Sequence, residues 1–276
     1  MPTDFNQERA LSVAIDAAKQ AGAILREMLH VAVVREKGQN DLVTDADLAA
    51  QSAIAKVLLG AYPDHGFLGE EDATASNHPP LDPQSPKEWL WVVDPLDGTT
   101  NFAHGMHNFA TSIALTYRRK PVLGAVYDPM ADEMYTAIAG QGAWLNGERL
   151  SSSGCAQLNQ ALIAASLPPR LNPDSLEIQQ FIRVMLESQS IRRLGSAALN
   201  LCYVAAGRLD GYWGGNLQAW DIAAGSLIVM ESGAHLCRHD GKPFDLWNGQ
   251  VLAAATATLA QSLMRCLSQP HAAPAR

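Results

Sequence analysis

The sequence has few cysteines, few basic residues and no long apolar segment, and each shortage excludes a class of protein. Its 20 Lys and Arg against 28 Asp and Glu give a net charge of −8, unlike the basic surface that binds nucleic acid. No apolar run approaches the roughly 20 residues of a membrane-spanning helix, and the N-terminus lacks the basic and then apolar pattern of a signal peptide. The sequence therefore predicts a soluble, cytoplasmic protein with neither a membrane nor a nucleic-acid partner.

Several familiar site motifs are also missing. The four cysteines are far apart with no C-x-x-C pair, which favours reduced, packed thiols over a disulfide frame or a zinc site. His235 and His239 have a spacing that zinc ligands use on a helix, but residues 232–245 are typical of a strand that runs into an Asp240-Gly241 turn. No G-x-x-x-x-G-K-[ST], G-x-S-x-G or G-x-G-x-x-G occurs, which removes the usual nucleotide, serine-hydrolase and dinucleotide interpretations.

The residues that are present predict one large mixed α/β protein. With 47% hydrophobic and 17% charged residues, the chain has enough material for two halves, 1–150 and 151–276, that form one compact unit. Apolar periodicity predicts a long first helix from Ala10 to Met28. The remaining predicted elements are a strand at 31–34, a helix from Thr44 to Gly60, a polar loop at 73–88, antiparallel strands with an Asn146-Gly147 hairpin across 111–150, a strand at 161–166, a helix near 175–188, helices opening at Gly195-Ser196 and at Asp221, and a last helix in the Ala-rich end.

The segment WVVDPLDGTTNF, residues 91–102, indicates a metal site. Its apolar residues predict a buried strand that ends at Asp94, because Pro95 disfavours helical geometry in the residue before it and stops the strand. A helix can then open in the Gly-Thr-Thr-Asn that follows. The carboxylates of Asp94 and Asp97 would converge beside free backbone amides, where two like charges need a cation between them.

Three further acidic positions lie where an apolar segment meets a turn or a helix start. Such junctions gather at one end of an α/β sheet, where sites are built. Each position also has a structural interpretation, and the sequence leaves these open: Asp94 in an Asx turn, Asp47 in a capping box with Thr44, Asp221 as a helix N-cap, and Glu70 and Glu71 as exposed loop charges. The pair Arg192-Arg193 is interpreted as a solvated loop or strand end.

An aspartyl-phosphate enzyme is a rival interpretation of the segment LDGTT. Phosphatases of that kind use two aspartates separated by one residue at a strand tip. Here Asp94 and Asp97 are separated by two residues, one of them Pro95, so they do not supply that nucleophile and acid pair. Metal-assisted hydrolysis remains.

Four motifs together resemble the inositol monophosphatase family across nearly the whole chain. They are KGQNDLVTDAD at 37–47, LGEED at 68–72, DPLDGTTNF at 94–102 and AWDIAAGSLIVMESGA at 219–234. The resemblance implies a layered α/β/α/β/α fold of the sugar phosphatase type, Mg²⁺-dependent and lithium-sensitive hydrolysis of phosphate monoesters, and a homodimer. It places metal ligands on Glu70, Asp94, the Leu96 carbonyl, Asp97 and Asp221, and the residues that orient the attacking water on Thr99 and Asp47.

The rest of the predicted site concerns the substrate. The phosphate would lie against the amides of Gly98, Thr99 and Thr100 at a helix start. Relatives that act on inositol phosphates usually carry a glutamate seven residues before the aspartate of the WD motif, and that position is Gly214 here. We therefore expect a weaker preference for inositol 1-phosphate, or another small polyol or sugar phosphate as substrate, in a pocket that also includes Gly195, Ser196 and Ala197. A regulatory or scaffold protein on the same fold is the competing hypothesis.

Overall fold

The computed structural model describes residues 5–38, 41–74, 87–168 and 170–268. Its helices in those segments are α1 Gln7–Met28, α2 Asp45–Ala61, α3 Glu70–Thr74, α4 Thr99–Ala103, α5 Leu176–Glu187, α6 Ala197–Ala205, α7 Ala219–Glu231 and α8 Ala257–Ser268. Its strands there are β1 Val34–Gly38, β2 Asp41–Thr44, β3 Gly66–Gly69, β4 Trp89–Asp97, β5 Ala110–Tyr117, β6 Lys120–Asp128, β7 Glu133–Ile138, β8 Gly142–Leu145, β9 Glu148–Arg149, β10 Leu162–Ser166, β11 Ser190–Arg192, β12 Gly211–Gly214, β13 His235–Cys237 and β14 Val251–Ala254.

The first helix forms as its periodicity predicts. Small apolar residues from Ala10 to Ala21, followed by Leu25, recur at helical spacing and are fully buried. Asn6 caps the helix, since its side chain accepts a hydrogen bond from the backbone N–H of Arg9 at 2.9 Å. The buried side of α1 packs on the seven-stranded sheet.

The seven-stranded sheet has the order β3-β4-β5-β6-β7-β8-β9. Strand β3 is parallel to β4, and every later neighbour in the order is antiparallel. Asn146 and Gly147 both have positive φ, 50° and 85°, at the turn between β8 and β9. This is the backbone twist that favours Asn-Gly in a two-residue hairpin, so the predicted hairpin is confirmed.

A five-stranded sheet, with the order β11-β10-β12-β14-β13, forms the second half. Helices α6 and α7 lie between the two sheets, α1 and α2 cover the outer face of the first, and α5 and α8 cover the outer face of the second. The predicted α/β/α/β/α layering is confirmed. The central core joins both halves, because buried residues as distant as Val92 and Val251 belong to one apolar cluster.

Three predicted boundaries are wrong. Residues 31–33 precede β1, which begins at Val34. Strands β1 and β2 form a separate two-stranded sheet, and Val31, which lies before it, is 72% exposed. Strand β4 continues past Asp94 to Asp97, since Pro95 interrupts the pairing without ending it. Helix α7 begins at Ala219, two residues before Asp221.

The other predicted elements are found near their expected bounds. Helix α2 ends at Ala61, one residue beyond the prediction, and α8 forms the last helix. Most of the predicted loop at 73–88 and the chain after Ser268 lie outside the described residues. All four cysteines are free, and three of them are buried. No helix in the described segments combines the length and apolarity needed to span a membrane.

Candidate active site

Most of the predicted site residues meet at one cavity of about 430 Å³. Its lining includes the predicted Glu70, Asp94, Leu96, Asp97, Gly98, Thr99, Thr100, Gly195, Ala197 and Asp221. It also includes six residues that the sequence did not indicate as site residues: Asn101, Ala165, Ser166, Leu167, Arg193 and Leu217. Three predicted residues, Asp47, Ser196 and Gly214, are not in its lining.

A bulge in β4 explains how two aspartates three residues apart reach the same cavity. Asp94 pairs with Ser112 and Asp97 with Ala110, so β4 has one residue more than β5 across this interval. Residues three apart in a regular strand point to opposite faces of a sheet. Because the extra residue changes that alternation, both carboxylates line the cavity.

The Asx turn considered for Asp94 is present. The backbone N–H of Leu96 donates to Asp94 Oδ1 at 3.0 Å. The Thr111 hydroxyl donates to the Pro95 carbonyl at 3.0 Å and fixes the bulge from the neighbouring strand. This turn holds the Asp94 side chain in place, so the structural interpretation and a site role are compatible.

Glu70 and Asp221 reach the cavity from two other elements. Strand β3 is parallel to β4, and Gly69 pairs with Val93. Glu70 and Asp94 are the next residues along the chain, so both lie at the same edge of the sheet. Asp221 is the third residue of α7, and its Oδ2 accepts from the backbone N–H of Gln218 at 2.8 Å. The N-cap of α7 is Gln218, so the interpretation of Asp221 as the N-cap is wrong.

Asp97 connects the first sheet to helix α6. Its carboxylate accepts hydrogen bonds from Ser196 Oγ at 2.6 Å and from the backbone N–H groups of Ala197 and Ala198 at 3.2 and 2.6 Å. Ser196 Oγ in turn accepts from Leu199 N at 3.1 Å and caps the helix. Ser196 is fully buried, and its hydrogen bond to Asp97 positions the Asp97 carboxylate.

The cavity carboxylates strongly disfavour one another's ionised forms. Burial raises the pKa of Asp94 well above its usual value, and the negative charges of Glu70, Asp97, Asp221 and Asp47 raise it further. Burial likewise raises the pKa of Asp97 to about 6, against the lowering effect of its three hydrogen bonds. The pKa of Asp221 is also raised, first by burial and then by the charge of Asp97.

Asp47 and Thr99 form a pair beside the cavity. Asp47 Oδ2 accepts from the Thr44 backbone N–H at 2.8 Å and from its hydroxyl at 2.6 Å, which completes the capping box of α2. The other oxygen, Oδ1, lies 3.2 Å from the Thr99 hydroxyl, which also lies 3.1 Å from the Leu96 carbonyl. One carboxylate thus completes the capping box and still presents an oxygen to Thr99, so the two interpretations that the sequence left open are compatible.

The start of α4 places backbone amides at the cavity. Gly98 is the N-cap residue with φ 104°, and a Cβ there would lie 3.0 Å from the Asn108 carbonyl and 3.2 Å from Phe109. Only glycine fits this left-handed, crowded position without strain. Gly98, Thr99 and Thr100 therefore turn sharply away from the bulge and along the cavity wall.

Gly214 lies behind the cavity wall. A Cβ at Gly214 would lie 2.7 Å from Leu217 Cδ1, 3.0 Å from the Tyr212 hydroxyl and 3.2 Å from Ser166 Cβ. Leu217 thus fills the space next to Gly214 and itself lines the cavity. A longer side chain at 214 needs Leu217 to move.

Arg193 is a cavity residue that sequence reasoning assigned to a solvated loop. It lines the cavity, whereas the neighbouring Arg192 donates to Ser190 Oγ at 2.6 Å and to the Ile191 carbonyl at 2.9 Å. Arg192 is the last residue of β11, and Arg193 follows it as an exposed loop residue, as predicted. Its place beside the cavity is the new observation, and the sequence pattern carries no signal for it. Leu217 and Ser166 were missed for a similar reason, because an isolated Leu or Ser carries no motif.

The donor set fits a hard divalent cation. Across the described segments, no three Asp, Glu, His or Cys side chains already form a metal cage. The four acidic side chains nevertheless line one cavity, where burial and then the neighbouring carboxylates raise the pKa values of Asp94 and Asp221, so positive charge is what this arrangement requires. Carboxylate and carbonyl oxygens, without thiolate or imidazole, favour Mg²⁺ over zinc.

Comparison with known proteins gives consistent results over almost the full length. Residues 6–271 match the family described as the inositol monophosphatase family. The tomato (Solanum lycopersicum) protein "Inositol monophosphatase 2" is 40% identical over 269 residues, covering 95% of this chain and 99% of the tomato protein. "Nus factor SuhB" of Pseudomonas aeruginosa is 40% identical over 270 residues, covering 96% and 97%. The crystal structure of "extragenic suppressor protein suhB" from Bartonella henselae superimposes with a TM-score of 0.86 at 38% identity, covering 95% of this chain and 99% of that one.

Proposed function

Because this chain belongs to the inositol monophosphatase family and is a phosphoric monoester hydrolase, we propose that it hydrolyses a small phosphorylated polyol or sugar with Mg²⁺ at the carboxylate cavity. One observation carries the proposal. The bulge in β4 brings Asp94 and Asp97 to a cavity that Glu70 and Asp221 also line, with the pair formed by Thr99 and Asp47 at its edge.

The groups that would hold the metal in this proposal are Glu70, Asp94, the Leu96 carbonyl, Asp97 and Asp221. When bound, the two Mg²⁺ would offset the charge that develops on the phosphoryl group and make water a stronger nucleophile. Asp97 keeps lone pairs for this role, because its three hydrogen bonds use only part of the acceptor capacity of a carboxylate.

Thr99 and Asp47 orient the attacking water. A hydroxyl that donates to Asp47 Oδ1 leaves its own oxygen free to accept a hydrogen bond from water. The proton released by that water passes through the Thr99 hydroxyl toward Asp47, whose other oxygen stays fixed by the Thr44 backbone. Water attacks phosphorus directly, so no covalent enzyme intermediate forms.

The backbone at the start of α4 holds the phosphate. The amides of Gly98, Thr99 and Thr100 lie beside the carboxylate cluster, and helix starts favour anions. The alcohol part of the ester then meets Gly195, Ala197 and Leu217 on the opposite wall. Because Leu217 occupies the space beside Gly214, that wall has no hydrogen-bond acceptor from position 214, and we expect a weak preference for inositol 1-phosphate.

Asp94→Asn and a substrate panel test the proposal. Phosphate release from inositol 1-phosphate, glycerol 2-phosphate, histidinol phosphate, fructose 1,6-bisphosphate and adenosine 3′,5′-bisphosphate is measured with Mg²⁺ and with EDTA. We expect Mg²⁺-dependent hydrolysis of at least one ester and a loss of orders of magnitude in Asp94→Asn. Full activity in EDTA or in the Asn variant would contradict the two-metal mechanism, and a burst of alcohol before phosphate would indicate a covalent intermediate.

A regulatory role is a second candidate, and the similarity to the P. aeruginosa "Nus factor SuhB" favours it. A chromosomal Asp94→Asn variant separates the two functions. A null phenotype at normal protein level assigns the essential role to catalysis, and a wild-type phenotype assigns it to binding. Lithium inhibition and a homodimer remain predictions from the family resemblance, and a cytoplasmic location remains a prediction from the sequence composition.

A further inference from the structure

A second cavity of about 500 Å³ adjoins the carboxylate cavity. The two have Ser166 and Leu167 in common, so they meet where β10 ends and the following loop begins. Each cavity alone has a volume within the usual range for a site that binds a small molecule. A phosphate ester bound at the carboxylates therefore has further space to occupy beyond Ser166 and Leu167.

The junction of the two cavities is built from fixed groups. Ser166 pairs with Gly214 across the five-stranded sheet, and the Tyr212 hydroxyl donates to Ser166 Oγ at 2.8 Å. Tyr212 is fully buried, which holds this hydrogen bond in place. Leu217 fills the space next to Gly214 and lines the first cavity. Ser166 lines both cavities and therefore lies at the boundary between them.

Apart from two acidic residues, the second cavity is lined by uncharged hydrogen-bonding groups and apolar surface. Four carboxamides line it, from Gln180, Asn216, Asn248 and Gln250, together with Trp213 and His239. Carboxamides both donate and accept hydrogen bonds, as ring hydroxyls and heterocycle edges require. The cavity is thus suited to a polar, uncharged ring.

The lining of the second cavity supplies no cation for a second anionic group, since none of its described residues is Lys or Arg. It contains the acidic Glu177 and Asp240, and Asp240 is paired with Arg238 and Lys242 at 3.0 and 3.2 Å. The charge that a second phosphate would meet in the lining is therefore that of Glu177, which disfavours it. His239 does not change this balance, because its Nε2 is held 2.9 Å from the Val251 carbonyl and burial lowers the pKa of its ring.

We propose that this second cavity binds the alcohol part of the substrate, so that the enzyme prefers monophosphate esters of an uncharged alcohol of nucleoside or disaccharide size over short polyol phosphates. The proposal rests on the phosphatase function described above. In this arrangement the phosphate lies at the carboxylates, and the alcohol part of the ester passes Ser166 and Leu167 and extends toward His239 and Asn248.

Gly215 offers a way to fill the second cavity without touching the carboxylates. Gly215 directly follows the end of β12 at Gly214 and lines the second cavity. A Cβ at Gly215 would lie 3.5 Å from His239 Cε1, which is an ordinary contact distance. Gly215→Leu therefore adds bulk beside His239.

The matched control is Gly60→Leu. Gly60 is exposed near the end of α2, and a Cβ there has no neighbour within 4 Å. If Gly215→Leu does not fold, as judged by circular dichroism, Asn248→Phe at an exposed lining position replaces it. Gly215→Leu and Asn248→Phe both narrow the second cavity and leave the carboxylates in place.

The experiment compares kcat/KM for glycerol 2-phosphate, adenosine 2′-monophosphate and trehalose 6-phosphate. We expect the parent to prefer at least one of the two larger esters to glycerol 2-phosphate by about tenfold or more. Gly215→Leu should remove about tenfold of that preference and leave kcat/KM for glycerol 2-phosphate within about twofold, while Gly60→Leu matches the parent. Equal preference in parent and Gly215→Leu, or an equal loss for all three esters, would overturn the proposal.

Direct binding separates this proposal from the proposed function. Calorimetry with adenosine and with trehalose, which carry no phosphate, measures the second cavity alone. If the parent hydrolyses none of the esters but binds one of these alcohols more tightly than Gly215→Leu does, the cavity assignment stands and the proposed phosphatase function fails. If esters are hydrolysed but neither alcohol binds and the larger esters have no advantage, the phosphatase function stands and the cavity assignment is wrong.

Discussion

Asp47 shows how one side chain can cap a helix and also serve in the proposed chemistry. Its Oδ2 completes the capping box of α2, and its Oδ1 faces the Thr99 hydroxyl. The two roles do not compete, because a carboxylate has two oxygens with about four acceptor positions. A structural explanation for a residue is therefore not evidence against a site role when the geometry leaves one of its oxygens available.

At Asp94, replacement by asparagine should stabilise the metal-free protein. Because burial and neighbouring carboxylates raise the pKa of Asp94, the folded protein keeps this proton to higher pH than the unfolded chain, whose pKa is near 3.8. Stability is therefore lost as pH rises above that value, and asparagine avoids the loss. The advantage of Asp94→Asn should be small at pH 4 and grow toward pH 8 in urea unfolding with EDTA.

The control for Asp94→Asn is Asp64→Asn, which removes one acidic group from an exposed turn. It should change stability little at any pH, since surface substitutions rarely exceed about 0.5 kcal/mol. A pH-independent effect of Asp94→Asn, or the same pH dependence in both variants, would show that Asp94 ionises freely in the folded protein.

Thr99→Ala should reduce turnover far more than stability. Thr99 is the first residue of α4, and Gly98 is its N-cap without any side-chain cap bond, so Thr99 does not cap the helix. Loss of its hydroxyl should lower kcat by about 10² or more while the melting temperature stays nearly unchanged. Thr99→Ser, which keeps the hydroxyl, should retain most activity. Equal losses in both variants, or a large fall in melting temperature, would assign Thr99 to folding.

Among the elements, the bulged end of β4 and the start of α6 form one unit through Asp97 and Ser196. The Ser196 hydroxyl caps α6 and donates to Asp97 at 2.6 Å, and both residues are buried. The position of the Asp97 carboxylate in the cavity thus depends on a residue 99 positions away in sequence. A shift of α6 moves Asp97 directly.

Ser196→Ala should destabilise the protein by about 1–3 kcal/mol, because it removes a helix cap and leaves a buried carboxylate with one donor fewer. Ser175→Ala is a matched control, since Ser175 occupies the N-cap of α5 without making a cap hydrogen bond. Its stability should change by less than about 0.5 kcal/mol. Denaturant unfolding measures both variants, and equal effects would show that the bond between Ser196 and Asp97 contributes nothing.

For the whole molecule, helix α7 fixes how the two halves meet. It packs against the seven-stranded sheet, and Gly124 in β6 allows the close approach. A Cβ at Gly124 would lie 2.9 Å from Ala224 Cα and 3.0 Å from its carbonyl, both backbone atoms. Backbone cannot yield as a flexible side chain does, so this contact sets the distance between helix and sheet.

Gly124→Ala should destabilise the whole protein by about 1–3 kcal/mol through this overpacking. Because one apolar cluster joins both halves, tryptophan fluorescence and far-UV circular dichroism should report the same lowered midpoint. Gly60→Ala, at the exposed glycine of α2, should instead stabilise by about 0.5–1 kcal/mol. Two separate transitions, or an effect seen by only one probe, would show that the halves unfold independently.

The sequence by itself determined the features that depend on neighbouring residues. Helical periodicity predicted α1, and Asn146-Gly147 predicted the hairpin, whereas the layered fold was implied by the family resemblance that four motifs carry. These predictions succeed because periodicity, turn geometry and capping depend on residues within a few positions of one another. The same reasoning misplaced the end of β4, because Pro95 was judged without the neighbouring strand that continues the pairing at Asp97.

Only the tertiary structure decided how distant segments meet. The bulge that turns Asp94 and Asp97 to one cavity is defined by its partner strand β5, and the hydrogen bond from Ser196 to Asp97 joins residues 99 positions apart. Arg193, Leu217 and the second cavity beyond Ser166 likewise depend on loops brought together from different strands. Side-chain direction at such points follows from register, bulges and close packing between elements, and these are set when the whole chain buries its apolar surface.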